Sequence, residues 1–87
     1  MYEDEYHLRV RKDLKKLDAQ IRKKIKEEHI LRILSEPGAG KELTGDLFGA
    51  GRQQYRIAYI VSEETKKVFI LMIGKRQNFY TVLERRF

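Results

Sequence analysis

The sequence predicts an α+β fold: a two-helix hairpin packed on a small antiparallel β-sheet, with a short helix at the C-terminal end. Three observations predict it. Residues 55–61 and 68–74 are the most apolar stretches, rich in β-branched and aromatic side chains, and a short polar break separates them. Such a pair reads as two antiparallel strands joined by a tight loop. Upstream, Val10, Leu14 and Leu17, then Ile21, Ile25, Ile30, Ile33 and Leu34, recur at helical spacing. Glu36, Pro37 and Gly38 then stop the helical run.

The elements follow in order. Residues 2–6 alternate aromatic and acidic side chains and suit a short edge strand, although Asp4 points with Tyr2 and Tyr6. The spacing predicts helices over residues 8–17 and 19–35, with Asp18 as the cap between them. The last two turns of the second helix are apolar over a wide arc and need cover on more than one side. Residues 39–51 are glycine-rich, with Leu43, Leu47 and Phe48 as sizeable apolar anchors. They lack the spacing of a phosphate-cradling loop and read as a tethered connector. Strands are expected over residues 52–61 and 67–75. Asn78 is positioned to cap a last helix that packs through Val82, Leu83 and Phe87.

A loop centred on Glu64 sets the strand register. Ile60 then faces Val68, and Arg52 faces Arg76. Side chains alternate with period two. Arg52, Gln54, Arg56 and Arg76 would share one face, while Tyr55, Ile57, Tyr59, Val61, Phe69, Leu71 and Ile73 take the core face. The arginine cluster has two readings, an anion site or ordinary strand-end solubilisation.

Composition narrows the function. Eighty-seven residues suit one domain spanning residues 1–87, and a chain of this size buries only about 60–65% of its unfolded surface. A net charge of +6 points to an anionic partner. Cysteine is absent, which removes disulfides and thiolate metal sites. No apolar run approaches the roughly 18 residues of a membrane span. The acidic first ten residues lack a signal peptide's apolar core, so a cytoplasmic location is expected.

No metal site or cofactor is expected. His7 and His29 fall in different elements, and neither has a second histidine one turn away. The serines frame no nucleophilic triad, and the carboxylates form no evident acid/base pair. The arginines and Tyr80 remain. RNA cleavage by the adjacent ribose 2′-hydroxyl builds negative charge on the phosphate oxygens, which guanidinium groups meet with paired hydrogen bonds. A fixed cationic cluster stabilises that transition state without reorganising. Two protons must also move, and a tyrosine can serve although its free pKa is about 10. Tyr80 also fits a half-buried aromatic that closes the core.

Several segments carry a family resemblance in order: YEDEYHLRVRKDLKKLD, a helix ending LSEP, LTGDL, YRIAYIV, and VFILMIGKRQNFY. Over nearly the whole chain these resemble the RelE/ParE superfamily of bacterial and archaeal toxins. The most specific feature is YRIxY followed about 18 residues later by IGKR and a tyrosine. The resemblance implies a RelE-like fold and the toxin of a type II toxin–antitoxin system. It implies a metal-independent mRNA interferase of the RelE type, an endoribonuclease that enters the ribosomal A site, cuts mRNA there and inhibits translation.

The family's catalytic arginines and tyrosine match Arg56, Arg76 and Tyr80. The family also places basic residues on a strand before the YR pair. Here residues 43–55 leave little room for that strand, and Arg52 is its one basic candidate. Arg52 and Lys75 are expected at phosphate or RNA, with Lys12, Lys15, Lys16, Lys23, Lys24 and Lys26 docking on RNA from the helix faces. The implied partners are the ribosome, mRNA and a cognate antitoxin whose tail folds on binding; no membrane is implied. Two alternatives stay open: a ParE-like gyrase inhibitor and a non-catalytic RNA-binding relative.

Overall fold

A computed structural model describes residues 1–45, 47–51 and 54–87. Five strands form one sheet in the order β1-β5-β4-β3-β2. They are β1 (Glu3–Tyr6), β2 (Lys41–Thr44), β3 (Leu47–Gly51), β4 (Tyr55–Ser62) and β5 (Lys67–Lys75). The expected α+β architecture is present, with one parallel pair: β1 runs alongside β5, from Glu3↔Lys67 to Tyr6↔Ile70. The remaining pairs are antiparallel.

Helix α1 spans Val10–Lys15, shorter than the periodic stretch suggests. The second predicted helix is α2 (Ala19–Lys24), a π-helical turn (Ile25–His29) and α3 (Ile30–Ser35), with helical backbone at the joins. Pro37–Ala39 adds a single 3₁₀ turn. Asp18 and Asn78 occupy the expected cap positions, but neither side chain makes a capping bond. Each carbonyl accepts the first regular bond of its helix, from the Arg22 and Val82 amides. Arg22 also donates to the Leu17 carbonyl at 2.9 Å, closing the end of the first helix.

The sheet has a core on each face. On one, Val10, Leu17, Ile25, Ile30 and Ile33 pack on Tyr55, Ile57, Tyr59, Val61, Val68, Ile70 and Ile73. On the other, α4 (Phe79–Arg86) buries Phe79 and Leu83 against Ala58, Leu71 and Met72. Val82 and Phe87, expected in the packing of this helix, are exposed. Phe87 instead sets its ring edge-on to His7 at 5.0 Å.

The register corrects the sequence arithmetic. Ile60 pairs with Phe69, not Val68. Ser62↔Lys67 closes the hairpin, and Lys66 turns the chain at φ 55°. The turn therefore holds an even number of residues, so no single residue sits at its centre. That one-step offset moves Phe69 and Leu71 to the α4 face. A bulge in β5 opposite Ala58 and Tyr59 then adds a second step, so Arg56 pairs with Gly74. The two steps cancel in parity, which returns Ile73 to the helix-side core as expected.

The connector over residues 39–51 is a β-hairpin, with Lys41↔Gly49 and Glu42↔Phe48. Two of its glycines, Gly40 and Gly51, mark close approaches of other side chains, and Gly45 turns the chain at φ 54°. A Cβ on Gly40 would collide with the Tyr59 hydroxyl. That hydroxyl donates to the Pro37 carbonyl at 2.7 Å. Burial pushes the Tyr59 phenol up, so it stays a donor. Phe48 stacks on the same ring, 5.6 Å between centroids and 11° off parallel.

Candidate functional site

β3 supplies a floor. Gly49 pairs with Ala58 and Gly51 with Arg56, so both glycines present the α4 face. At Gly51 the space a side chain would fill is taken by Arg56, and at Gly49 the Leu43 side chain and the Tyr80 hydroxyl border that space at contact distance. A Cβ on Gly51 would lie 2.8 Å from the Arg56 Nη1, and a Cβ on Gly49 would lie 3.6 Å from the Tyr80 hydroxyl. Positions two apart on a strand are separated by roughly 6.5–7 Å. Arg56 and the Tyr80 hydroxyl therefore stand over neighbouring glycines on one sheet face. A phosphate bridges such a span.

α4 delivers Tyr80 to this place. Phe79 is 1% exposed, and its ring fills the space above Gly74. Tyr80 follows it, 40% exposed, with its ring perpendicular to Phe79 at 5.4 Å. The ring thus has an open face beside a buried anchor.

Arg56 also borders a hollow of 330 Å³ at the open end of β3, with Arg32, Lys41 and Glu36 on its walls. His29 lies at its base, its Nδ1 2.8 Å from the buried Tyr55 hydroxyl. His29 ends the π-helical turn, a feature found often at functional sites. The bond ties the second helix to the residue just before Arg56.

Arg76 stands at the same end of the β4–β5 hairpin but borders a different hollow, with Lys75, Gln54, Lys16 and Leu17. β5 ends at Lys75, so strand alternation no longer fixes where Arg76 points. The structure brings Arg56 and Tyr80 together over β3 and places Arg76 in the neighbouring hollow. Arg52 lies outside the described residues. Lys12, Lys15, Lys16, Lys23, Lys24 and Lys26 are all exposed on or beside the two helices, and among the described residues none forms an ion pair. Lys16 shares the Arg76 hollow, while Lys15 and Lys26 border a separate groove between the helices.

Two features were not anticipated. One is the glycine floor, whose signal was the Gly49-x-Gly51 alternation inside a strand. The other is Asp13, 6% exposed. It accepts two bonds from Arg86, at 2.8 and 2.9 Å, and one from the Ile73 amide at 3.1 Å. The bond to Asp13 holds the Arg86 guanidinium above its ordinary value. Among the described residues no group of three His, Cys, Asp or Glu side chains is placed to hold a metal ion.

Residues 6–84 match the family model of the ParE-like toxins of type II bacterial toxin–antitoxin systems. The chain belongs to this toxin family. Its fold is that of the RelE toxins. It is similar to a chain of the RelBE2 toxin–antitoxin complex of Mycobacterium tuberculosis, with 30% identity over 86% of this chain and 98% of that one, at a TM-score of 0.78. The isolated E. coli RelE toxin is 26% identical, covers 99% of this chain and 98% of its own, and gives 0.75. The archaeal RelE–RelB complex of Pyrococcus horikoshii gives 0.67 at 26% identity, covering 87% of this toxin and 96% of that chain. No curated protein matches the sequence. No helix among the toxin's described residues is long and apolar enough to cross a membrane.

Proposed function

We propose that this toxin is a ribosome-dependent mRNA endoribonuclease that acts in the cytoplasm without a metal ion. One observation carries the reading: the Arg56 side chain and the Tyr80 hydroxyl stand over adjacent glycines of one strand face. In the reaction, the ribose 2′-oxygen attacks the adjacent phosphorus and the bond to the 5′-oxygen breaks. Arg56 meets the charge on the non-bridging oxygens. Tyr80 carries one of the two proton transfers that the exchange requires. Arg76 completes the set by swinging from its neighbouring hollow, where Lys75 and Lys16 hold the flanking phosphates. Arg52 adds a further positive charge just before Arg56 in sequence. The relatives solved as toxin–antitoxin complexes support a cognate antitoxin as the inhibitory partner.

The direct test is inducible expression with cleavage mapped on one message in translated and untranslated forms. Cuts confined to the translated form support the reading. Growth arrest with both forms intact contradicts it and directs attention to topoisomerase inhibition.

The glycine floor gives a sharper test. A methyl at Gly51 would meet Arg56 Nη1 at 2.8 Å and Cγ at 2.9 Å, so the arginine must move. Gly51→Ala is expected to slow cleavage by about 10²-fold, the cost of a misplacement near 1 Å. Circular dichroism should show the fold unchanged, because the one backbone neighbour, the Tyr55 carbonyl 3.1 Å from the added methyl, need give by only a few tenths of an ångström.

The six helix lysines should act in docking. Replacing them with glutamine should weaken ribosome association and flatten its salt dependence, with the cleavage rate at saturation unchanged. Unaltered affinity across a salt titration would return them to an ordinary solvated surface.

A further inference from the structure

The outer edge of β5 is covered in two different ways. β1 pairs with it as far as Ile70, and the His7 amide donates to the Ile70 carbonyl at 2.8 Å. Past the bulge, the Ile73 amide donates instead to a side chain, Asp13 Oδ2, at 3.1 Å. The same carboxylate receives both arms of the Arg86 guanidinium. Asp13 belongs to α1, and Arg86 is the last residue of α4. One buried carboxylate therefore joins the first helix, the part of β5 beyond its pairing with β1, and the C-terminal helix.

We infer that Asp13 and Arg86 are positioning residues for Tyr80, fixing the orientation of α4 so that the Tyr80 hydroxyl stands over Gly49 beside Arg56. The inference rests on the nuclease reading for its effect on catalysis, and on geometry alone for the placement of Tyr80. Phe79 and Leu83 are the buried residues of α4. Apolar contacts are non-directional, so two of them hold a short helix down without fixing its roll or tilt. A bidentate arginine–carboxylate pair is directional and supplies what they lack. Tyr80 and Arg86 lie six residues apart, roughly 9 Å along the helix. A tilt of about 10° at one end then moves the other by roughly 1.5 Å, a displacement of the size that costs catalysis dearly. A buried ion pair is weak evidence for stability as such, which makes orientation the better account of why one is built here.

The test uses Asp13→Asn combined with Arg86→Gln. Both charges go together, Asn keeps the shape of Asp13 while Gln shortens the side chain at position 86, and the new Asn oxygen still accepts from the Ile73 amide. The first readout is the nuclear Overhauser contact between the Tyr80 ring and the Gly49 α-protons in the free protein. It should weaken or vanish while the signals of the core residues Ile57 and Tyr59 stay in place. Its persistence at wild-type strength overturns the inference. The second readout is single-turnover cleavage on ribosomes. The rate at saturation should fall about 10- to 100-fold with the half-saturating ribosome concentration unchanged, and an unchanged rate overturns the inference. Arg86→Lys keeps the charge and loses the fork. It should give an intermediate result by both measures, and it carries the test if the double variant does not keep its core. If the wild-type protein cuts no mRNA, the nuclease reading fails alone, and the Tyr80–Gly49 contact still decides the positioning role.

Discussion

Arg56→Ala is expected to slow cleavage of ribosome-bound mRNA by about two to three orders of magnitude, the usual loss for one preorganised charge-stabilising donor. Arg56 earns this expectation from its place. It is half-buried on β4, its side chain lies over Gly51, and the His29–Tyr55 bond anchors the preceding residue. Association should survive, because most affinity resides in phosphate contacts elsewhere. Single-turnover rates against ribosome concentration separate the two effects. Arg76→Ala provides the comparison. An Arg76 that swings to the reacting phosphate gives an equal loss in the maximal rate. An Arg76 that stays beside Lys16 and Lys75 gives its loss in apparent affinity.

Tyr80→Phe should cost about 10²-fold or more in rate. The substitution keeps the ring and its perpendicular contact with Phe79 and removes only the hydroxyl over Gly49. It therefore separates proton transfer from stacking. A stacking role predicts little change, since a phenylalanine ring offers the same face to a base. With the side chain 40% exposed, no buried hydrogen bond is lost, and stability should stay near wild type. Thermal unfolding of the free protein checks that point and keeps a folding defect from passing as a catalytic one.

The sequence made most of the architecture legible, for physical reasons. The helical stripe of Val10, Leu14 and Leu17 and the β-branched runs flanking residues 62–66 have one reasonable period each. Helices and strands followed from them. Register was harder to read. Lys66 takes a left-handed backbone conformation that a lysine does not advertise, and the β5 bulge leaves no mark on an apolar run. Phe69 and Leu71 were consequently assigned to the wrong face.

The hairpin of β2 and β3 was hidden by its glycines. Glycine weakens strand propensity, so Gly40, Gly49 and Gly51 pointed to a connector. Tyr59 and Arg56 occupy the space of the side chains missing at Gly40 and Gly51, and the Tyr80 hydroxyl comes within contact distance of Gly49. The strand before the YR pair, for which the sequence left little room, is present as β3 and carries glycines in place of basic residues. Asp13 carried a readable signal. It falls at i+3 from Val10, inside the apolar stripe, where a carboxylate must find partners. Those partners, the Ile73 amide and Arg86, come from distant parts of the chain, and no local pattern could name them.

The central claim, that Arg56 and Tyr80 serve 2′-hydroxyl attack on mRNA in the ribosome, is tested most directly by the chemistry of the cut. Purified toxin would be added to ribosomes stalled on a defined message, once with an all-ribose message and once with a single 2′-deoxy nucleotide at the cut site. The account predicts fragments ending in a 2′,3′-cyclic phosphate and a 5′-hydroxyl from the first, and no cleavage of the second. Cleavage that tolerates the deoxy substitution, or fragments with a 5′-phosphate, would contradict it.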